Sequence, residues 1–281
     1  MESGRRDRLT GSSPAGEIPC AAGAGTAKDG LYLYALAEQG REFPRGITGI
    51  DGEPVRVIPC RNMAAIVHAC PLEPYTSDDK QVITGWVLAH QRTLELMLDA
   101  GIPLIPFSFD TIIRPSGEQT STEVLFAWLS TEYEKFEKTF DRIRNKKEYG
   151  IQVFCRASKI RDAVAESDEI IRSLQQEVAA SGPGKEFLLR QKMEKRLKTA
   201  TDEKITGIAA EIMEKIRDCC DDIKPGRTQK GTDPDLTMIM NCSCLVSDDD
   251  YPKLGEVLES VHDCDGLTVR FTGPWAAYSF V

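Results

Sequence analysis

Histidine is the side chain best suited to general acid–base catalysis near neutral pH, and this chain has three. His68, His90 and His262 lie far apart in the sequence, and none has a cysteine or carboxylate at a recognisable catalytic or metal-binding spacing. His90 falls on the apolar stripe of a predicted helix, between Trp86 and Leu94, where a hydrogen-bonded core histidine is typical. The histidines therefore predict no catalytic residue, and a small-molecule enzyme would need a buried polar pocket beside His90.

Cysteine could supply metal ligands, and the chain has nine cysteines spread over its length. An odd number in a long chain argues against a secreted disulfide framework. The nearest approach to a ligand set is Cys242-x-Cys244 with Cys219-Cys220, but no CxxC pair of the kind common in zinc sites is present. In a strand, Cys242 and Cys244 would point to one face and act there as small core hydrophobes. We expect no metal site.

Two further patterns could carry chemistry, and neither has the required spacing. Gly182-Pro183-Gly184-Lys185 lacks the spacing of a phosphate-binding loop and follows a predicted helix, so it predicts a helix-breaking turn. Acidic runs such as Asp248-Asp249-Asp250 fall at predicted helix ends, where carboxylates cap helices or face solvent. The residues thus predict no cofactor and a protein that is not an enzyme.

The bulk composition limits the classes of partner. The chain has 281 residues, a net charge of −9 and a pI near 5.1, which argue against a basic nucleic-acid surface. No window approaches the roughly 20 apolar residues that span a bilayer, and residues 1–29 lack the apolar core of a signal peptide. We expect a cytoplasmic protein that binds neither nucleic acid nor a membrane.

The pattern of elements predicts an α+β fold with two domains. Residues 1–29 are rich in Gly, Ala and Ser, which predicts a disordered tail. Residues 30–147 mix strands and helices and form a predicted N-terminal α+β domain, whose opening strand at 31–36 is apolar enough for burial on both faces. A capping box at Thr120-x-x-Glu123 opens a helix in this domain.

The predicted second domain, residues 148–281, has the order strand, helices, strand, helix, strand. This order fits a modified ferredoxin-like fold with a long coiled-coil-like insertion, a helical hairpin over residues 158–223. A mobile loop is predicted at 224–235. The breaker at Gly182–Gly184 separates a helix at 160–178 from one that begins at Lys185.

The last thirteen residues, 269–281, stay apolar and aromatic to the end of the chain. The alternation up to Phe271 predicts a strand that Gly273-Pro274 ends, so the aromatic tail beyond must dock on a surface. Either the tail packs on its own domain or part of it binds a partner. The candidate partner-binding residues are Phe271, Trp275, Tyr278 and Phe280.

Several segments together resemble the gas vesicle protein F/L family (GvpF/GvpL), over roughly residues 30–281. They are LYLYA at 31–35, AAIV at 64–67, IPFSFDT at 105–111, EYGIQV at 148–153 and FTGPWAAYSFV at 271–281. His90 stands at the family's histidine position, and the ending is similar to the family's Thr-Gly-Pro-Trp-Pro-Pro-Tyr-x-Phe-Val. Ala276-Ala277 replace the usual prolines, and Asp110 stands where glycine is common. Between the two types, the resemblance favours an F-like member.

The resemblance implies two α+β domains, the C-terminal one modified ferredoxin-like, and a non-enzymatic accessory role in gas vesicle assembly. It implies contacts with the small hydrophobic GvpA-like shell protein and with other accessory proteins, no cofactor, and a cytoplasmic location associated with gas vesicles. The residues alone leave two other functions open, a cytoplasmic coiled-coil adaptor or scaffold and a small-molecule enzyme.

Overall fold

The computed structural model describes residues 29–229, Asp233 and 235–281, which divide into two compact units. The first unit contains the chain up to Arg144 and, in addition, the terminal segment Trp275–Val281. The second contains Asn145–Pro274. The predicted disorder of the N-terminal tail falls, except for Asp29, outside the described residues.

The first unit is built on an antiparallel sheet with strand order β2-β3-β1-β4, in which β5 also pairs with β1. Its elements are β1 Gly30–Glu38, β2 Arg56–Cys60, β3 Met63–Cys70, α1 Lys80–Asp99, β4 Leu104–Pro106, β5 Ile112–Ile113, α2 Ser121–Thr131 and α3 Tyr133–Ile143. β1 is central, and every residue from Gly30 to Ala37 is buried, which confirms the prediction of burial on both faces. Helix α1 packs on this sheet through Leu94 and Met97.

Side-chain caps define where helices α1 and α2 of the first unit begin. The Asp79 carboxylate accepts the Gln81 backbone N–H at 2.8 Å and begins α1. The predicted capping box is confirmed, since Thr120 and Glu123 each bond the other's backbone N–H at the start of α2.

The second unit has a four-stranded sheet with order β7-β8-β6-β9. Its elements are β6 Lys146–Arg156, α4 Ala157–Ser167, α5 Glu169–Ala179, α6 Pro183–Arg217, β7 Asp222–Pro225, β8 Leu236–Ser247, α7 Tyr251–His262 and β9 Leu267–Trp275. One core lies under the sheet, where Ile151, Ile216 and Leu254 meet. A second core joins the helices, where Ile171 and Leu197 pack with Ile160.

The helical insertion departs from the prediction at two places. The helix predicted at 160–178 is interrupted at Asp168, whose carboxylate caps α5 by accepting the Ile171 N–H at 3.0 Å. The helix predicted to reach residue 223 ends at Arg217, because the Asp221 N–H pairs with the Leu245 carbonyl and strand β7 begins at Asp222. The mobile loop predicted at 224–235 therefore starts inside a strand, and four of its residues, 230–232 and 234, lie outside the described part.

The end of the chain also differs from the predicted domains. Strand β9 continues through Gly273-Pro274 to Trp275 rather than stopping before them. Beyond it the terminal segment packs in the first unit, where Ala276 joins the core of Tyr32 and Leu94. The prediction assigned residues 275–281 to the second domain, because sequence order alone places a tail with the strand that precedes it.

Candidate partner-binding site at the chain terminus

Phe280 anchors the terminal segment in the first unit. Its side chain is 1% exposed, among the largest fully buried side chains of the described residues. Arg142 donates from Nη1 to the Phe280 carbonyl oxygen at 3.1 Å, and its guanidinium carbon lies 5.9 Å from the ring centroid. A residue so deeply buried cannot touch a partner while the segment is docked, so of the four candidate residues Phe280 is placed as an anchor.

Tyr278 is the exposed residue of the terminal segment, with 37% of its surface accessible. Its hydroxyl lies 2.9 Å from Nε2 of His90, and Nδ1 of the same ring lies 2.8 Å from the Tyr32 hydroxyl. His90 itself is 3% exposed, on the buried face of α1. The predicted core histidine is thus confirmed, and its partner is a residue 188 positions away.

The hydrogen-bond partners of Tyr32 favour one tautomer of His90. The Asp110 backbone N–H donates to the Tyr32 oxygen at 3.0 Å, so the single hydroxyl proton of Tyr32 is free to donate to Nδ1 of His90. Nε2 then carries the ring proton and donates to the Tyr278 oxygen. If both ring nitrogens carried protons, the Nδ1 proton would point at the hydroxyl proton of Tyr32. The network therefore fits a neutral imidazole.

Electrostatics favour the same protonation states. Burial lowers the pKa of His90 from 6.5 to about 4, and a backbone hydrogen bond at Phe107 only partly offsets this. Burial also raises the pKa of the Tyr32 hydroxyl well above its ordinary value. At neutral pH the chain Tyr32–His90–Tyr278 is therefore uncharged, and both ring nitrogens are engaged by tyrosines rather than open to a substrate.

Aromatic rings surround the hydrogen-bonded residues Tyr32, His90 and Tyr278 on the side of the sheet. Tyr32 stacks on His68 with centroids 5.0 Å apart, and Tyr75 meets Tyr32 edge to face at 5.6 Å. The Trp86 indole N–H donates to the Asp51 carboxylate at 2.7 Å. Asp110, the departure from the family pattern, has φ of 69° and accepts the Tyr75 N–H at 3.0 Å. Its carboxylate thus helps to position the aromatic cluster.

Phe271 lies in the second unit, unlike the other three candidate residues. It stands on β9, at the edge of the sheet, 36% exposed, and its ring stacks on Tyr149 at 5.1 Å with an interplanar angle of 13°. Tyr251, 42% exposed at the start of α7, completes this edge cluster, with its centroid 5.1 Å from that of Tyr149. The helical spacing predicts that Tyr251 faces inward with Leu254, and this is wrong, because only the later apolar residues of α7 reach the core.

The two cysteines of strand β8 lie where the strand pattern predicts. Cys242 and Cys244 are buried in the core under the second sheet, with their Sγ atoms 3.8 Å apart. Across the described ranges, no group of three or more His, Cys, Asp or Glu residues is arranged to hold a metal ion. None of the helices in that part of the chain has a stretch long and apolar enough to cross a bilayer.

A family model described as "Gas vesicle synthesis protein GvpL/GvpF" matches residues 30–281 of this chain. The chain belongs to the gas vesicle GvpL/GvpF family. Gas vesicle protein L1 of Halobacterium salinarum is 30% identical over 267 residues, with 91% of each chain covered. Gas vesicle protein L of Haloferax mediterranei is 28% identical, covering 83% of this chain and 72% of that protein.

Solved structures of the GvpL/GvpF family share the fold. The crystal structure of GvpF from Anabaena superposes with a TM-score of 0.68 at 15% identity, covering 91% of this chain and 98% of that one. GvpF from Microcystis aeruginosa gives 0.63 at 18% identity, with 90% and 98% covered. The mixed α+β architecture is thus that of GvpF. The relatives named above are L proteins and the two structures are F proteins, so the F-like assignment stays a prediction.

Proposed function

We propose that this GvpL/GvpF protein is a non-enzymatic accessory protein of gas vesicle assembly that binds the small hydrophobic GvpA-like shell protein in the cytoplasm. The observation that carries the proposal is the match of residues 30–281 to a family described by gas vesicle synthesis. A shell protein that buries its apolar face only on polymerising is prone to aggregate beforehand. An acidic partner of net charge −9 that covers this face would hold it in solution until the shell grows.

The edge cluster on the second unit supplies one surface for this contact. Phe271 and Tyr251 expose large aromatic faces, and Tyr149 supports both from below. Strand β9 is an edge strand, so an extended segment of a partner can pair with its backbone while its side chains meet Phe271. Aromatic residues with a rigid support are typical anchors of protein interfaces.

The terminal segment supplies the second surface. Trp275 is half-buried and Tyr278 is exposed, while Phe280 and the Arg142 hydrogen bond hold the backbone beneath them. In this proposal Trp275 and Tyr278 touch the partner, and Phe280 contributes by keeping the segment docked. His90 acts through Tyr278, whose ring orientation it fixes.

The proposal includes a modified ferredoxin-like fold for the second unit. Its support is the chain order strand, helices, strand, strand, helix, strand, together with the sheet order β7-β8-β6-β9. The three helices α4 to α6 then form the enlarged first connection, and α7 forms the second.

Co-expression with the shell protein tests the function. The chain carries an affinity tag at residue 1, and the retained shell protein is quantified after washing. We expect the wild type to retain it and Phe271→Ala with Tyr251→Ala, or Trp275→Ala with Tyr278→Ala, to reduce retention by at least about fivefold, as loss of aromatic anchors does. A matched control, Leu96→Ala with Phe126→Ala, removes two large side chains that are each 36% exposed and should retain wild-type binding.

Thermal unfolding of each purified variant is measured beside the retention. Loss of binding by a variant that unfolds at the wild-type temperature supports a contact role. Wild-type retention by both aromatic pairs would rule out these surfaces, and no retention by the wild type would rule out the shell protein as partner.

A second candidate, a coiled-coil adaptor, is favoured by α6, which runs for 35 residues. It predicts that substitutions on the outer face of α6 reduce partner retention more than the paired alanine substitutions of the aromatic residues do. The same retention assay, with other gas vesicle accessory proteins in place of the shell protein, compares the two.

A further inference from the structure

The outer face of the first three turns of α6 combines lysines with exposed apolar side chains. Lys185, Leu188, Lys192 and Lys195 follow one another at spacings of three and four, so they form one stripe along the helix. Met193 and Leu197, by contrast, face the core shared with α4 and α5. The stripe covers roughly 15 Å at 1.5 Å per residue.

Large apolar side chains on and beside this stripe are open to solvent. Leu188 is 64% exposed and its neighbour Phe187 62%, while Ile170 on the adjacent α5 is 54% exposed. A hydrogen bond of 2.6 Å from Arg196 to Asp168 fixes α5 against α6 two residues before Ile170. Large apolar groups held on a braced helical hairpin, and left in water, indicate a surface that a partner covers.

The charge of this face is opposite to that of the whole chain. Residues 183–198 contain six basic residues and two acidic ones, in a protein of net charge −9. Both acidic residues are already engaged, since Glu186 pairs with Arg190 at 2.8 Å and Glu194 with Arg161 at 2.9 Å. Lys185, Lys192 and Lys195 make no ion pair with any residue that the structure describes.

The stripe ends at Lys195, where the surface becomes mixed in charge. Beyond it a groove of about 930 Å³ runs beside α4, lined by both signs of charge, including Asp162, Asp202 and Asp235. An acidic ligand is therefore favoured over the first three turns of α6 and not along its continuation.

We propose that this lysine stripe, with Phe187 and Leu188, docks an acidic amphipathic helix of a partner protein. Carboxylates at spacings of three and four would meet the lysines, and apolar residues between them would cover Leu188 and Phe187. A polyanion such as nucleic acid would pair the charges but leave these apolar side chains in water. The lysines accompany two exposed apolar side chains, Leu188 and Phe187, which is less than the broad apolar face that inserts into a lipid surface. The docking surface is separate from the aromatic surfaces proposed above for the shell protein, and it gives the outer face of α6, which the adaptor candidate also uses, an occupant of stated chemistry.

The test uses the full chain and a fluorescein-labelled peptide of about 18 residues, a length that suits a stable helix. The peptide carries Glu and Leu at spacings of three and four on an alanine background, and a second peptide replaces each Glu by Lys. Fluorescence anisotropy should show binding of the glutamate peptide and not of the lysine peptide. Raising the salt from about 0.05 M to about 0.3 M should weaken binding several-fold, because screening shortens the reach of the charges.

Charge reversal identifies the surface. Lys185→Glu with Lys192→Glu and Lys195→Glu should weaken binding at least about tenfold, as lost charge complementarity does. A matched control, Lys80→Glu with Lys138→Glu and Lys204→Glu, changes the net charge equally at exposed lysines elsewhere and should bind within about twofold of the wild type. Leu188→Ser separately tests the apolar contribution without changing charge. Circular dichroism checks that each variant keeps its helix content.

Several results would overturn the proposal. They are failure of the wild type to bind the glutamate peptide, equal binding of the lysine peptide, and an unchanged affinity after reversal of the three stripe lysines. Equal competition by unstructured polyglutamate or by an oligonucleotide would assign the surface to polyanions in general. Stripe-dependent binding to vesicles of anionic phospholipid, with none to the peptide, would assign it to lipid. The retention assay with the shell protein is unaffected by any of these outcomes, so the two proposals fail separately.

Discussion

His90 shows how one buried residue can hold the end of a chain in place. Its ring bonds the Tyr32 hydroxyl through Nδ1 and the Tyr278 hydroxyl through Nε2, so a strand, a helix and the terminal segment meet at a single imidazole. Burial keeps the ring neutral by lowering its pKa to about 4. The role is structural positioning, because both nitrogens are used within the protein.

The lowered pKa of His90 predicts a pH-dependent contribution to stability. Between pH 6.5 and about 4 the unfolded chain takes up a proton on this histidine and the folded chain does not, so the free energy of unfolding falls as the pH falls. His90→Gln removes this effect. We therefore expect the stability advantage of the wild type over His90→Gln to shrink by about 2 kcal/mol between pH 7 and pH 4.5.

Urea unfolding at the two pH values measures this difference. Tyr278→Phe is the control, since it removes one hydrogen bond of about 1 kcal/mol but keeps the buried histidine, and its pH trend should match that of the wild type. An advantage over His90→Gln that stays constant with pH would show that His90 is not held neutral.

At the scale of elements, Phe280 is the residue that anchors the terminal segment. Phe280 is almost fully buried, whereas Tyr278, two residues earlier, is exposed. Large-to-small substitution of a buried phenylalanine typically costs about 3–5 kcal/mol, through lost burial and the cavity left behind. We expect Phe280→Ala to lose that amount and Tyr278→Ala distinctly less, as measured by urea unfolding. Equal losses would indicate that the segment is held by the His90 hydrogen bond rather than by Phe280.

The helical insertion shows how a local signal can be overlooked. A periodic apolar pattern from 160 to 178 predicts one helix, yet Asp168 ends α4 and caps α5. Ser167-Asp168-Glu169 carries the signature of a helix start, which the periodicity masks. The Arg196 side chain fixes this break by bonding the Asp168 carboxylate, and its proximity holds the pKa of that carboxyl below its usual range.

On the scale of the whole molecule, the chain returns to its first unit at its end. Trp275–Val281 follow the last strand of the second unit in sequence but belong to the first unit by their contacts. The core of the first unit is therefore complete only with the terminal segment docked, since Ala276 is part of it. Each unit also has its own buried core, around Tyr32 and Leu94 in one and Ile151 and Leu254 in the other.

Truncation after Pro274 should consequently loosen the first unit and leave the second intact. We expect hydrogen–deuterium exchange to increase at least about tenfold, equivalent to 1.4 kcal/mol of local opening, in peptides covering β1 and α1. Peptides covering β6 and β8 should exchange as in the full-length chain. Faster exchange in β6 and β8 would show instead that the terminal segment stabilises the second unit.

Much of the fold could be predicted from the sequence, because local signals depend on residues two to four positions apart. The apolar run of β1, the Thr120 cap and the buried position of His90 are all confirmed. The five segments at 31–35, 64–67, 105–111, 148–153 and 271–281 together identified the family. These features depend on chain periodicity and side-chain type, which the sequence states directly.

Only the tertiary structure decided which unit receives the terminal segment and which aromatic side chains stay exposed. Both facts depend on contacts between residues far apart in the chain, such as the 2.9 Å hydrogen bond from His90 to Tyr278 across 188 positions. No local pattern encodes such a pairing, because it exists only once the sheet and α1 have formed the surface that binds the segment. The sequence determined that the last residues must be covered, and the packing of the first unit decided that Phe280 is buried while Tyr278 faces solvent.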